Sequence, residues 1–347
     1  MSYQQELNIA LLAVQRASLL TKKVFHSHTK GTLSKSDASP VTIGDFGAQA
    51  LIISALQHAF ASDEIVAEEE AKDLRENEGL RTTVWDLVKE VRLRDDAAEE
   101  QIGGGVKNAD IMMDIIDKGN SKGGAHGRIW ALDPIDGTKG FLRGGQYAVC
   151  LALMVDGDVK VGVLGCPNLP VDDSAPLDSK VGENATDEEG MGVIFAAVQG
   201  QGATSRPLTE GALAKPQKIA MKSVSDISAA TFCESVEAGH SSHSDQSQIA
   251  QKLGITKPSA KYGSIARGAG DVYLRLPVRK DYQEKIWDHA AGDLIVREAG
   301  GEVTDAEGNR LDFSKGRTLA ANKGVVAAPE AVHQEVLDAV KSVLRNK

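Results

Sequence analysis

Asp133 and Asp136 sit in the run Trp130-Ala-Leu-Asp133-Pro-Ile-Asp136-Gly-Thr138-Lys-Gly-Phe-Leu-Arg-Gly144, with a glycine and a hydroxyl directly behind the second acid. Paired carboxylates on a rigid turn offer hard oxygen donors. These suit Mg²⁺ better than Zn²⁺, which prefers nitrogen or sulfur. Pro134 fixes φ and removes a donor, so the chain is expected to leave its sheet here. Gly137 permits a close backbone approach to whatever the acids hold. Thr138, beside a carboxylate, can orient and deprotonate an attacking water. The same residues could instead form an Asx-type turn that ends a strand, with the hydroxyl bonded to that turn.

Further acids stand where elements are expected to begin or end: Asp45, Glu68 and Glu69, and Asp288. Open α/β sheets put their ligands at such places. If these groups converge, repulsion is costly, roughly 4 kcal/mol per pair at about 4 Å with an effective dielectric near 20. Two or more divalent cations would relieve it. Metal pairs about 3.5–4 Å apart also serve in-line phosphoryl displacement, steadying the entering and leaving oxygens.

Elements must hold these acids in place. Residues 4–24 carry Leu7, Leu11, Val14 and Ala17 at helical spacing. Asp45 can cap a second helix running to Phe60, with Phe46, Ala50, Ile53 and Leu56 or Gln57 as its buried stripe. A short strand leads into Glu68-Glu69-Glu70. Helices are expected at 83–94 and 110–118, and strands at 147–155 and 159–165 joined by Asp156-Gly157, a hairpin signal. Residues 171–190 read as an acidic loop and 192–198 as a strand. Beyond a composition break at 204–216, strands at 218–221, 231–236 and 271–276 alternate with a helix at 244–253, which suggests a second α/β domain. Trp287-Asp288-His-Ala-Ala-Gly292 opens a helix stopped by Gly300-Gly301; strands at 318–321 and 324–328 and a helix with Pro329 in first position close the chain.

A length of 347 residues favours two domains, and 41% apolar content is ample for burial. A net charge of -10 argues against a nucleic-acid surface but not against a phosphorylated small substrate, since bound cations invert local charge. Cys150, Cys166 and Cys233 are odd in number and widely spaced, which fits buried thiols in a reducing compartment rather than a disulfide framework. Neither a signal peptide nor a membrane span is visible, so the cytoplasm is expected. Gly103-Gly-Gly105 and Gly200-Gln-Gly202 do not complete a dinucleotide fingerprint.

Glu68-Glu69, Asp133-Pro-Ile-Asp136-Gly-Thr138 and Trp287-Asp288-His-Ala-Ala-Gly292, in this order, resemble the three signatures of the lithium-sensitive, Mg²⁺-dependent phosphatase superfamily of inositol monophosphatases, fructose-1,6-bisphosphatases and bisphosphate nucleotidases. Ala17-Ser-Leu-Leu-Thr-Lys22, Gly137-Thr-Lys-Gly-Phe-Leu-Arg-Gly144, Gly239-His-Ser-Ser-His243, Asp271-Val-Tyr-Leu-Arg-Leu-Pro277 and Tyr282-Gln-Glu-Lys-Ile-Trp-Asp288 resemble its fungal and plant 3′(2′),5′-bisphosphate nucleotidases.

The resemblance implies an α/β layered sandwich, an α+β domain over residues 1–210 and a smaller α/β domain over 211–347. It implies two or three Mg²⁺ held by Glu68, Glu69, Asp133, the Ile135 carbonyl, Asp136 and Asp288, with inhibition by Li⁺, Na⁺ and Ca²⁺. Asp45 and Thr138 match the pair that activates water. Gly137, Thr138, His240, Ser259, Lys261, Arg275 and Asp288 match substrate contacts, with Ser259 one residue closer to Lys261 than the family pattern. The implied substrate is 3′-phosphoadenosine 5′-phosphate (PAP), with its sulfated relative PAPS also accepted, by a monomer serving sulfate assimilation and salt tolerance. The rival readings are an inositol phosphate phosphatase of the same superfamily and a PAP sensor without activity. The complete set of carboxylates speaks against the sensor.

Overall fold

The structure, a computed structural model, describes residues 2–29, 39–172, 191–233, 242–255, 270–276, 279 and 281–345. The chain opens with helices α1 (Gln4–Thr29) and α2 (Pro40–Ala59), then strand β1 (Glu64–Ala67). Short helices α3 (Lys72–Glu76), α4 (Glu78–Glu90), α5 (Asp96–Gln101) and α6 (Ala109–Ile116) lead through a 3₁₀ turn at Asp117–Gly119 to β2 (Arg128–Asp136). After helix α7 (Thr138–Leu142) come β3 (Ala148–Val155), β4 (Asp158–Pro170), β5 (Met191–Val198), β6 (Ala203–Pro207) and β7 (Gln217–Ile219). The remainder is β8 (Phe232–Cys233), α8 (His243–Lys252), β9 (Val272–Arg275), α9 (Ile286–Glu298), β10 (Gly301–Thr304), β11 (Val325–Pro329) and α10 (Glu330–Leu344).

β1 to β7 form one sheet in chain order, parallel only between β1 and β2, and β10-β11-β9-β8 form a second. Leu132, Leu151, Val163 and Ile194 on one face of the first sheet pack with α1 and α2. Ala131, Cys150 and Phe195 on the other face share a core with α9 and with Tyr273 and Ala327 of the second sheet. The far face of the second sheet packs on α8 and α10. The result is a layered α/β sandwich, as the resemblance implies, and its layers run in the order α/β/α/β/α with α9 at the centre. The composition break is not a break in the sheet: β7, beyond residue 211, hydrogen-bonds to β6.

Local chemistry explains most element ends. Asp156 (φ 51) and Gly157 (φ 79) are both left-handed, as a two-residue I′ hairpin requires. Several expectations need correction. Ser39, not Asp45, caps α2: its Oγ accepts from Thr42 N at 3.3 Å, with Pro40 following. α2 is buried nearly all round between 43 and 53, not along one stripe, because helices and the sheet enclose it. The helix expected at 83–94 is α4, started earlier by the Asn77 cap. Residues 318–321 make one isolated bridge rather than a strand, and Pro329 precedes α10 instead of opening it. β10 had no clear signal in the sequence. The loop expected at 171–190 falls almost wholly outside the described residues.

Candidate active site

The central motif does not leave the sheet at Pro134. β2 runs on to Asp136, and its register against β3 slips: Asp133 faces Cys150, whereas Asp136 faces Ala148. In a regular strand, residues three apart point to opposite faces. Here β2 fits one extra residue between those pairs, a bulge that brings both carboxylates to one face, and Pro134 lacks the N–H a regular ladder would need. That face is the one covered by α9, since Cys150 and Ala148 belong to its core. Asp133 is buried, with Oδ1 accepting from Ile135 N at 3.0 Å.

β1 runs parallel to β2 and ends at Ala67, so Glu68 and Glu69 emerge beside Asp133. Gln49, fully buried on α2, clamps the backbone of Glu69 from both sides: Oε1 accepts from Glu69 N at 3.0 Å and Nε2 donates to Glu69 O at 2.7 Å and Ile116 O at 3.1 Å. Asp45 lies one helical turn earlier on the same face of α2. Gln49→Leu strands three backbone groups at roughly 1–3 kcal/mol each. It should therefore cost about 3 kcal/mol or more by denaturant unfolding. A variant within 1 kcal/mol of the parent would show that the clamp is dispensable.

Gly137 takes φ +91 and turns β2 into α7, so Thr138 is the first residue of that helix, exposed beside Asp136. Three residues on, Phe141 packs edge-on to Phe25 (5.4 Å) and Tyr147 (4.8 Å), while Tyr147 Oη donates to Thr21 Oγ1 at 3.1 Å. This aromatic knot fixes α7 against α1 and the start of β3.

Asp288 comes from the first turn of α9, where the helix dipole favours a carboxylate. Behind it Arg275 of β9 forms ion pairs with Glu284 (Nε to Oε2, 2.9 Å) and Asp288 (Nη2 to Oδ2, 3.5 Å), and His289 Nε2 reaches Glu284 Oε2 at 3.1 Å. Glu284, Asp288 and His289 are close enough together to suggest a cation site. The Arg275 guanidinium already supplies the positive charge there.

The acids feel one another. Burial first, then Glu68, Asp136, Asp288 and Asp45, raise the Asp133 carboxyl well above its usual range. Burial and the carboxylates Glu69 and Glu68 raise Asp45 likewise. Glu69 is pushed up to about 7 by burial, Glu68 and Asp73. Glu68 is raised chiefly by burial, although it shares a hydrogen bond with Asp133 and faces Lys285, both of which lower it. Two carboxyl groups can share a hydrogen bond only if one keeps a proton. A hard divalent cation fits this donor set in place of that proton. The Cys150 thiol is driven up by burial and by Asp136 and Asp133, so it offers no thiolate for a soft metal.

A pH dependence follows. Glu69 has an ordinary value of 4.5 and a folded value of about 7, so the folded protein holds its proton more tightly. That contribution is present at low pH and lost as pH rises through about 7. Divalent ions must displace such protons, so the gain in melting temperature on adding Mg²⁺ should grow as pH is raised across this window. An increment that stays constant with pH would contradict this.

The structure thus brings together Asp45, Glu68, Glu69, Asp133, Ile135, Asp136, Gly137, Thr138, Asp288 and Arg275. His240, Ser259 and Lys261 lie outside the described residues. Gln49, Glu284 and Lys285 are additions: Glu284 and Lys285 stood in the run 282–288 without a role of their own, and Gln49 was signalled only by its position one turn after Asp45.

This sandwich has a known counterpart: residues 2–345 match the inositol monophosphatase family, and the chain belongs to that family, whose members are generally Mg²⁺-dependent. Within it, the chain is 64% identical to the 3′(2′),5′-bisphosphate nucleotidase of Emericella nidulans, across 99% of this chain and 100% of that one. Enzymes of the same name from Schizosaccharomyces pombe (48%, covering 99% and 97%) and Oryza sativa (42%, covering 99% and 96%) are also similar over their length. Solved inositol monophosphatases share the fold: that of Zymomonas mobilis superposes with TM-score 0.60 at 18% identity over 98% of this chain and 99% of its own, and that of Anabaena with 0.56 at 17% over 99% and 97%. Among the described residues no helix is long and apolar enough to cross a membrane.

Proposed function

We propose that this chain is a Mg²⁺-dependent phosphomonoesterase that removes the 3′-phosphate of PAP, giving AMP and phosphate, and converts PAPS to adenosine 5′-phosphosulfate. The observation that carries the reading is the convergence of Glu68, Asp136, Asp288 and Asp45 on the buried Asp133. The choice of substrate rests on the names of relatives up to 64% identical along the whole chain.

In this reading Glu68, Asp133 and the Ile135 carbonyl hold one cation, Asp133, Asp136 and Asp288 a second, and Glu69 helps hold a third. When bound, the ions polarise the phosphoryl oxygens and neutralise the acids. Thr138 orients the attacking water, and Asp45 takes its proton, a task suited to a carboxylate whose affinity for protons is raised. The water oxygen attacks phosphorus, the bond from phosphorus to the 3′-oxygen breaks, and that oxygen takes a proton from solvent as it leaves, while Asp45 gives up its proton to solvent. Gly137 lets the backbone approach the scissile phosphate.

His240, Ser259 and Lys261 take up the rest of the nucleotide. Arg275 joins them only by sharing its charge with Glu284 and Asp288. We infer a reducing, cytoplasmic setting from the three buried cysteines, none in a disulfide.

Product analysis tests the regiochemistry. PAP with Mg²⁺ should yield AMP and phosphate in equal amounts; adenosine 3′-phosphate as the product would overturn the assignment.

A further inference from the structure

Arg317 lies between β10 and β11, outside every motif of the site, yet it touches the chain next to two of the acid-bearing elements, the exit of β1 and the start of α9. Its Nη2 donates to Ala67 O at 2.6 Å, and Nη1 donates to Ser121 O at 2.9 Å and Gly119 O at 3.2 Å. Ala67 is the residue before Glu68. The segment holding the other two carbonyls is bound to β1, through Ser121 N to Ile65 O at 3.0 Å and a bridge between Val66 and Asn120. Its packing there is close: a Cβ on Gly119 would meet that of Ala67 at 2.6 Å.

The other side of the same guanidinium lies over the ring of Trp287, 4.9 Å from its centroid, and Trp287 is the residue before Asp288. The backbone completes the link. Ile286 N donates to Arg317 O at 3.2 Å, Leu319 N donates to Glu284 O at 2.8 Å, and Lys285 bridges Thr318. One side chain therefore joins the exit of β1 to the entrance of α9.

We propose that Arg317 is a positioning residue for the cation site: it sets the separation between Glu68 and Glu69, on one side, and Asp288, on the other, without touching ion or substrate. The inference rests on the metal reading above. A planar fork satisfying three carbonyls while stacking on an indole is specific to arginine; lysine keeps the charge but reaches fewer acceptors and does not stack. Partners that orient metal ligands from behind typically govern about tenfold to hundredfold in metal affinity.

The test uses Mn²⁺ as the probe, with binding followed calorimetrically on the full chain and independently of turnover. Arg317→Lys should weaken Mn²⁺ binding at least about tenfold. At saturating metal, KM for PAP should stay at the parent value and most of kcat should return. Trp287→Phe, which keeps a ring but a weaker cation–π partner, should shift metal binding in the same direction by less, and it serves if the lysine variant fails to fold. A lower melting temperature with unchanged Mn²⁺ affinity would overturn the proposal and leave Arg317 a packing residue. A parent protein that binds no Mn²⁺ would overturn the metal reading itself, which separates the two failures.

Discussion

Asp133→Asn lowers phosphate release from PAP by about a thousandfold or more, the upper end for loss of one electrostatic stabiliser, while the metal-free protein melts no lower than the parent. The two outcomes share one cause. Asp133 is buried, and Glu68, Asp136, Asp288 and Asp45 all raise its carboxyl. In the absence of cations an ionised Asp133 is a liability, so a neutral amide of the same shape relieves repulsion. In the proposed arrangement the same charge would serve both inner cation sites, a role an amide cannot fill. Phosphate release and melting curves with and without Mg²⁺ check both halves. The variant should also lose most of the Mg²⁺-induced rise in melting temperature. A variant that kept a tenth of the activity, or that melted well below the parent without metal, would show Asp133 to be structural.

Asp45→Asn should separate proton transfer from metal binding. Asp45 comes from α2, one turn before the Gln49 clamp, and its carboxyl is raised by burial and by Glu69 and Glu68. As the proposed acceptor of the water's proton it should be worth about a hundredfold to ten-thousandfold in kcat. It is not counted among the cation ligands, so half-maximal stabilisation by Mg²⁺ should fall at nearly the parent concentration. Loss of Mg²⁺ binding comparable to the loss of rate would make Asp45 a ligand instead. Activity within tenfold of the parent would remove it from the reaction.

The acids themselves were legible in the sequence because chemistry dictates their types: two carboxylates either side of a proline, followed by glycine and threonine, have few structural uses. Their geometry was less legible. The bulge that turns Asp133 and Asp136 to one face is set by pairing with β3, and nothing within the motif records that register. Asp45 was expected to cap α2, but Ser39 and Pro40 start that helix earlier and leave Asp45 inside it, facing the site. Gln49 and Arg317 act on backbone groups distant in sequence, so no local pattern marks them, while Glu284 was legible only as part of the run 282–288, without its ion pair to Arg275. The hairpin at Asp156-Gly157 was legible because left-handed φ at both positions restricts the residues that fit.

The most direct measurement is phosphate release from PAP and from inositol 1-phosphate, side by side, with Mg²⁺, without it, and with added Li⁺. Rapid release from PAP that needs Mg²⁺ and is suppressed by Li⁺, with far slower release from inositol 1-phosphate, is the predicted result. Release from inositol 1-phosphate with none from PAP would keep the acid cluster and contradict the nucleotide reading of His240, Lys261 and Arg275.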